Sequence, residues 1–357
     1  MLLLFCVLIT CIEITARVYD FVNPGCDFFG SDVFNQTNWY TLRWACIDPH
    51  LLDWEYSGIR QYASNQNYDT ININSHGFRG FDFTEQKSDN TYRIFIVGGS
   101  TVFGYGSTSD QTTIPGYLQT EFTKLDINKK VEVINAGVGF ATSFEEAYLL
   151  KTKLLQYDPD LIIIYDGGND VYTRNKEITM IYDDQIKDPF KFGTYEFYRT
   201  PAVVYKNLVE PLTSKPMSNN FSDDFNSYNY VINNWENNLK KICKLGEENN
   251  FKVAIFLQPL LITTEKTLSD DELEMKEWMF ATQYNYNMIN KELLSEFSSR
   301  IQLLNDHCAI SQDLTNVFDD RTEPIFYDWI HMTNHGNELI SKRIFEIILP
   351  KINDNLL

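Results

Sequence analysis

The stretch Tyr92-Arg-Ile-Phe-Ile-Val-Gly-Gly-Ser100 decides the fold that this sequence predicts. Its apolar residues over 93–97 predict a buried strand, and the glycines that follow predict a turn from that strand into a helix, with Ser100 at the turn. Further along the chain, Leu161-Ile-Ile-Ile-Tyr165 predicts a second strand. Such a continuous apolar run is typical of a central parallel strand that is buried on both faces.

Strand and helix patterns alternate to the end of the chain. The predicted strands lie at 93–97, 131–134, 161–165 and 251–257, with a short one near 308–310. The predicted helices lie at 115–124, 143–157, 227–248, 270–304 and 334–352. This order predicts an α/β protein, a three-layer α/β/α fold with a central, mainly parallel sheet. Because sites in such folds lie at the carboxyl ends of the strands, Ser100, Gly139 and Asn169 are expected to meet at one edge.

The length and composition allow a large core with additional segments. The chain has 357 residues, of which 43% are hydrophobic and 15% aromatic. We predict an apolar N-terminal anchor or signal segment at 1–21, a lead-in segment at 22–90 packed on the main domain, and the α/β/α domain at 91–357. A polar insertion at about 171–226 is expected to form part of the substrate cleft, since loops of this length are usually functional.

The net charge of −19 argues against a nucleic-acid partner, because phosphate binding needs clustered Lys and Arg.

The chain begins with an apolar run, from Leu2 to Ile12, that is interrupted by Glu13. The run is shorter than the ~20 residues that a helix needs to cross a bilayer, and its length suits the apolar core of a signal peptide. A helix extending to Phe21 and a buried N-terminal helix are the alternatives. We expect an extracytoplasmic protein, either anchored to a membrane through this segment or secreted.

Four of the six cysteines lie outside that run. An oxidising location would permit a disulfide between Cys26 and Cys46 that closes a short loop. Ordinary buried thiols at all four positions, which include Cys243 and Cys308, are an equally open alternative. No C-x-x-C pair occurs, so no structural zinc site is predicted.

The chemistry that the sequence indicates depends on Ser100 and on Asp328-Trp-Ile-His331. The chain has five histidines, so few side chains can accept a proton near neutral pH. A serine hydroxyl becomes a good nucleophile when an imidazole takes its proton, and a carboxylate orients that imidazole. We therefore predict Ser100 as the nucleophile, His331 as the base and Asp328 as the residue that orients it.

Four segments occur in an informative order: Gly98-Gly-Ser-Thr101, Asn135-Ala-Gly-Val-Gly139, Gly167-Gly-Asn-Asp170 and Asp328-Trp-Ile-His331. This order resembles the SGNH hydrolases, also called the GDSL esterase/lipase family, over roughly residues 91–352. The resemblance is to membrane-anchored members, with Gly99 where the family usually has Asp. It implies a flavodoxin-like fold and an oxyanion hole formed by the Ser100 N–H, the Gly139 N–H and the Asn169 amide. The related pattern often has its glycine one residue later, at Phe140, and of the two we favour Gly139.

The resemblance also implies a function. We expect a serine esterase that hydrolyses O-acyl esters, acetyl esters above all, through an acyl-serine intermediate on extracellular carbohydrate. It needs no cofactor and no metal. An O-acyltransferase that acts on polysaccharide with the same triad is the first alternative, and a catalytically idle binding module of the same fold is the second.

Other interpretations compete at single residues. Asp328, His331 and His335 have a spacing that suits a metal site, but that interpretation leaves Ser100 unexplained, and His335 is better explained as a hydrogen-bonding residue at a helix start. Gln258 follows a predicted strand and either lines the cleft or ends the strand. Arg79 suits either an acidic substrate or a structural salt bridge, and we favour the salt bridge.

Overall fold

A computed structural model describes residues 2–22, 26, 28, 31–34, 37–173, 200, 225–283 and 289–356. The strands are β1 Trp54–Tyr56, β2 Arg60–Tyr62, β3 Gln66–Asn67, β4 Asn72–Ile73, β5 Thr91–Gly98, β6 Lys130–Gly137, β7 Leu161–Asp166, β8 Lys252–Leu257 and β9 Ile310–Asp313. The helices are α1 Leu2–Val22, α2 Trp39–Leu51, α3 Ser100–Phe103, α4 Ile114–Thr123, α5 Ser143–Thr152, α6 Gly168–Thr173, α7 Phe225–Asn249, α8 Asp270–Thr282, α9 Lys291–Leu303 and α10 Asn334–Leu356.

The main sheet has five parallel strands in the order β6-β5-β7-β8-β9. Every residue of β5 and β7 is buried, as expected for central parallel strands covered on both faces. One group of helices contains α4, which packs on β6 and α10, and another contains α7, which packs on α5, α9 and β8. The structure therefore confirms the predicted α/β/α architecture with a parallel sheet.

Two predicted helices differ from the structure. The helix predicted over 143–157 ends at Thr152 and continues as a 3-10 helix over Leu154–Tyr157. The helix predicted over 270–304 is two helices, α8 and α9. The reason is a second helix start, because the Asn290 side chain accepts a hydrogen bond from the Leu293 N–H and so caps α9.

The lead-in segment lies against β6 and α3. Strands β1 and β2 form an antiparallel hairpin, and Arg79 forms an isolated bridge with Asn135 on β6. The Tyr62 ring stacks on the Phe103 ring with 4.5 Å between centroids. The segment thereby contacts α3, the short helix that begins with Ser100. The insertion predicted at 171–226 lies outside the described residues apart from 171–173, 200 and 225–226.

Helix α1 carries exposed apolar side chains along most of its length, with Leu3, Leu4 and Leu8 at 81%, 76% and 58% exposure. Its C-terminal end is held by Arg43, whose Nε donates to the Phe21 carbonyl at 2.8 Å. None of the helices in the described ranges combines the length and the apolar content that crossing a membrane requires.

Four cysteines form two disulfides in the structure. Cys26 pairs with Cys46 at a Cα–Cα distance of 5.9 Å, and Cys243 pairs with Cys308 at 5.1 Å. Both distances lie in the range that a disulfide spans. The structure thus favours disulfides over the alternative of four ordinary thiols.

Candidate active site

The three predicted triad residues meet at the carboxyl edge of the sheet. Ser100 begins α3 directly after β5, and His331 lies in the loop before α10. His331 Nε2 lies 2.7 Å from Ser100 Oγ, and His331 Nδ1 lies 2.6 Å from Asp328 Oδ2. The imidazole is therefore hydrogen-bonded to the hydroxyl on one side and to the carboxylate on the other, as proton transfer from Ser100 requires.

The carboxylate of Asp328 is fixed in both position and charge. Its Oδ1 accepts the N–H groups of Ile330 at 2.8 Å and His331 at 2.6 Å. Burial alone would raise the pKa of Asp328, but the charge and hydrogen bonds of His331 and the Ile330 N–H more than offset it, so the pKa lies below its usual value. Asp328 thus stays ionised at neutral pH, and its charge can stabilise an imidazolium at His331.

Two tyrosines hold the plane of the His331 ring. The Tyr327 ring stacks on it at 5.8 Å with 9° between the planes, and the Tyr105 ring lies 5.2 Å away. The Tyr327 hydroxyl donates to the Tyr105 carbonyl at 2.6 Å, and this hydrogen bond links the two tyrosines. No sequence pattern indicated these roles, although Tyr327 immediately precedes Asp328.

Asn169 lies in the first turn of α6, and its side chain lies beside Gly99, the residue before Ser100. Its Nδ2 donates to the Ala141 carbonyl at 2.7 Å. A Cβ atom on Gly99 would collide with this amide nitrogen, so the glycine lets Asn169 approach the peptide that precedes Ser100. The structure therefore brings Asn169 beside Ser100, as predicted, and places both next to the loop over residues 138–142.

That loop, here called the oxyanion loop, contains both candidates for the backbone donor. The Gly139 N–H donates to the Tyr62 hydroxyl at 3.2 Å, so the structure directs this predicted donor to a lead-in side chain. Phe140 has a φ of 64°, a left-handed conformation that glycine adopts most readily. This conformation explains why the related pattern has glycine here. Among the described residues, no acceptor is hydrogen-bonded to the Phe140 N–H.

The competing interpretations have different outcomes. In the described part of the chain, no group of three or more His, Cys, Asp or Glu side chains is arranged to hold a metal ion. His335 instead bonds Glu323 at 3.2 Å. Arg79 is buried and forms an ion pair with Asp110 at 2.8 Å, which confirms the salt-bridge prediction.

Gln258 lies beside Thr101, the residue that follows Ser100. The Thr101 hydroxyl donates to Gln258 Oε1 at 3.2 Å, and both side chains are buried. Gln258 therefore contacts the helix that carries Ser100 in addition to following β8.

The parallel sheet and the linked serine, histidine and aspartate define a serine hydrolase of the α/β/α class. Residues 96–339 match the model of the GDSL-like Lipase/Acylhydrolase family, and the chain belongs to this family of carboxylic ester hydrolases. The family inferred from the four sequence segments is thus confirmed, and the membrane-anchored type stays a prediction. No curated protein matches the chain in sequence.

Several solved structures are similar to this one. The acetyl xylan esterase AlAXEase is 12% identical, with 72% of this chain and 99% of that chain covered and a TM-score of 0.43. The acetylxylan esterase Axe2 from Geobacillus stearothermophilus is 11% identical, with coverages of 72% and 94% and a TM-score of 0.42. The psychrotrophic esterase EstA from Pseudoalteromonas sp. is 17% identical, with coverages of 74% and 100% and a TM-score of 0.42.

Proposed function

We propose that this enzyme hydrolyses short O-acyl esters, acetyl esters above all, on extracellular carbohydrate through an acyl-serine intermediate. The observation that carries the proposal is the unbroken hydrogen-bond chain from Ser100 through His331 to Asp328, with contacts of 2.7 and 2.6 Å.

In the first half of the reaction, Ser100 Oγ attacks the ester carbonyl carbon while its proton passes to His331 Nε2. The carbonyl oxygen becomes an oxyanion, which the Ser100 N–H, the Asn169 amide and a backbone N–H of the oxyanion loop would stabilise. We assign this last role to Phe140 instead of Gly139, because the Gly139 N–H is engaged by Tyr62. The tetrahedral intermediate then collapses, and His331 gives its proton to the leaving alcohol.

In the second half, water takes the place of the alcohol. His331 removes a proton from this water as the oxygen attacks the acyl carbon, and a second tetrahedral intermediate forms in the same oxyanion hole. Its collapse breaks the bond to Ser100 Oγ, which recovers the proton from His331. The products are the free carboxylic acid and the original hydroxyl group of Ser100.

Crowding around the triad supports a short acyl group. Tyr105 and Tyr327 cover two sides of the His331 ring. The Ile330 side chain also packs closely on Gly168, where a Cβ atom would lie 2.5 Å from it.

Exposed aromatic side chains support a carbohydrate as the alcohol part of the ester. Tyr56, Phe140 and Phe144 are 66%, 49% and 41% exposed, and Phe140 belongs to the oxyanion loop itself. Tyr56 and Phe144 line the same cleft, and flat rings offer faces on which sugar rings pack.

An extracytoplasmic location at a membrane surface is part of the proposal. The two disulfides fit an oxidising compartment, and the exposed apolar side chains of α1 fit contact with lipid. The measurement is binding to phospholipid vesicles. A Leu4→Asp, Leu8→Asp double variant is expected to lose most of the binding, and equal binding by both proteins would refute the membrane role.

The decisive test of the reaction compares p-nitrophenyl acetate with longer p-nitrophenyl esters and with an acetylated oligosaccharide. We expect turnover to fall with acyl length and to be abolished by Ser100→Ala. Ser64→Ala, which changes an exposed serine of the lead-in segment, serves as the control and is expected to be fully active. Full activity of Ser100→Ala would refute the mechanism. Acylated sugar formed when an acceptor is added would instead favour the transferase alternative.

A further inference from the structure

The peptide that joins Gly139 and Phe140 is held from the lead-in segment. Arg60 Nη2 donates to the Gly139 carbonyl at 3.0 Å. The structure contains no cis peptide bond in the described residues, and in a planar trans peptide the C=O and the N–H point in opposite directions. The N–H of this peptide belongs to Phe140. Arg60 therefore binds the carbonyl side of this peptide, and the Phe140 N–H points away from the guanidinium.

The preceding peptide is held by the same strand. The Tyr62 hydroxyl accepts the Gly139 N–H at 3.2 Å, and Tyr62 is 4% exposed. Its ring lies between those of Trp54, with centroids 4.1 Å apart, and Phe103, at 4.5 Å. Strand β2 thus fixes two consecutive peptides of the oxyanion loop, and it does so from a buried, stacked position.

Arg60 is itself held in place. Its guanidinium lies 3.8 Å above the Trp54 ring and 5.7 Å from the Phe140 ring. Stacking of this kind restricts the long side chain and is favourable for a cation over an aromatic face. The cation therefore stays on the carbonyl side of the Gly139–Phe140 peptide.

Position and charge act on the peptide together. A cation that hydrogen-bonds a carbonyl oxygen polarises the whole peptide group, because hydrogen bonds in a chain strengthen one another. The opposite N–H then becomes a better donor to negative charge. The same contact holds Phe140 in its left-handed conformation, which side chains larger than glycine seldom adopt.

We infer that Arg60 is a positioning residue that orients and polarises the Phe140 N–H toward the oxyanion, an inference that rests on the proposed esterase function. Arg60 and Tyr62 precede residues 96–339, the part of the chain that matches the family. On this inference, the lead-in segment contributes Arg60 and Tyr62 to the positioning of the oxyanion loop.

The test uses the full chain with p-nitrophenyl acetate. Arg60→Met is expected to lower kcat by about 10- to 100-fold with little change in KM, since a weakened oxyanion donor acts mainly in the transition state. Arg60→Lys keeps a cation and is expected to recover part of the loss. Millimolar guanidinium added to Arg60→Met is expected to raise kcat in a saturable manner, and inactivation by a p-nitrophenyl phosphonate is expected to slow in parallel with kcat.

Lys153→Met is the matched control. Lys153 Nζ also bonds strand β2, through Gln61 Oε1 at 2.8 Å, and the substitution removes the same charge without touching the oxyanion loop. Its kcat and KM are expected to match those of the unmodified enzyme.

Unchanged kcat in Arg60→Met, or an equal loss in Lys153→Met, would overturn the inference. A loss in Arg60→Met that neither Arg60→Lys nor guanidinium reverses would also overturn it, since it would indicate a purely structural role. If Arg60→Met does not fold, Arg60→Lys serves as the test. Its kcat is expected to be lower than that of the unmodified enzyme, and an unchanged kcat would overturn the inference. Failure of the esterase proposal shows separately, as turnover that survives Ser100→Ala.

Discussion

Replacement of Arg79 by methionine tests the contact between the lead-in segment and α3, the short helix that begins with Ser100. Arg79 is 3% exposed, and its guanidinium makes an ion pair and three hydrogen bonds. Nε pairs with Asp110 at 2.8 Å, Nη1 donates to the carbonyls of Phe103 at 3.1 Å and Gly104 at 2.8 Å, and Nη2 donates to the Thr70 carbonyl at 2.7 Å. Two of these carbonyls lie at the C-terminal end of α3, where a cation is favourable.

The size of the effect follows from what each partner retains. The Phe103 carbonyl also accepts from Asn135 at 3.2 Å, and the Gly104 carbonyl also accepts from the Ser107 N–H at 3.0 Å. The Thr70 carbonyl and the Asp110 carboxylate lose their strongest partner. Removal of one member of a buried ion pair costs about 3–5 kcal/mol. Because two of the carbonyls keep a second donor, we expect the lower end, about 3 kcal/mol.

The assay is urea unfolding followed by circular dichroism, with the free energy of unfolding taken by linear extrapolation. The control is Arg343→Met, which removes an exposed arginine paired with Glu346 at 3.2 Å and is expected to cost under about 0.5 kcal/mol. Removal of the partner by Asp110→Asn is expected to be less than additive with Arg79→Met. A loss of less than about 1 kcal/mol for Arg79→Met, or full additivity of the two, would refute the assigned role.

Three further predictions concern the triad, a buried carboxyl and a disulfide. Asp328→Asn is expected to lower kcat on p-nitrophenyl acetate by about 10³- to 10⁴-fold, since the amide no longer holds the required His331 tautomer; near-normal kcat would contradict the triad. Burial, and then the charges of Asp166 and Asp170, raise the pKa of Glu146 well above 4.5. The native state therefore keeps a proton on Glu146 that the unfolded chain releases, and the contribution of Glu146 to stability falls as pH rises above 4.5, by at most about 1.4 kcal/mol per pH unit. Glu146→Gln removes this slope, so its stability relative to the unmodified enzyme is expected to rise between pH 5 and pH 7 in urea unfolding, and a constant difference would count against the explanation. Cys243→Ser is expected to cost about 2–5 kcal/mol in the same assay. If the variant and the unmodified enzyme are equally stable without reductant, the second disulfide does not form.

Much of the fold and the triad could be predicted because both leave local signals. The apolar run at 161–165 indicates a strand buried on both faces whatever its neighbours are, and β7 is such a strand. Ser100 follows a strand and Asp328 lies three residues before His331, so the residue types and their spacing were enough to propose the chemistry. The two-helix structure of 270–304 was missed, because the cap at Asn290 is a polar residue within an otherwise periodic stretch.

No local signal distinguishes the two candidates for the backbone donor of the proposed oxyanion hole. Gly139 and Phe140 are adjacent, and our proposal of Phe140 depends on a hydroxyl from Tyr62, 77 positions earlier in the chain. The role of Arg79 was likewise open, since a salt bridge and a substrate contact both need a cation at the same place.

The sequence by itself determined the strands of the main sheet, most of the helices around it and the choice of Ser100, His331 and Asp328 as triad candidates, because these depend on short-range periodicity and on the chemistry of single side chains. Only the tertiary structure decided how the active site is held together. His331 reaches Ser100 across 231 positions, and Arg60 reaches Gly139 across 79. Such contacts come from the packing of whole segments against one another, which sets distances and directions that no pattern along the chain records.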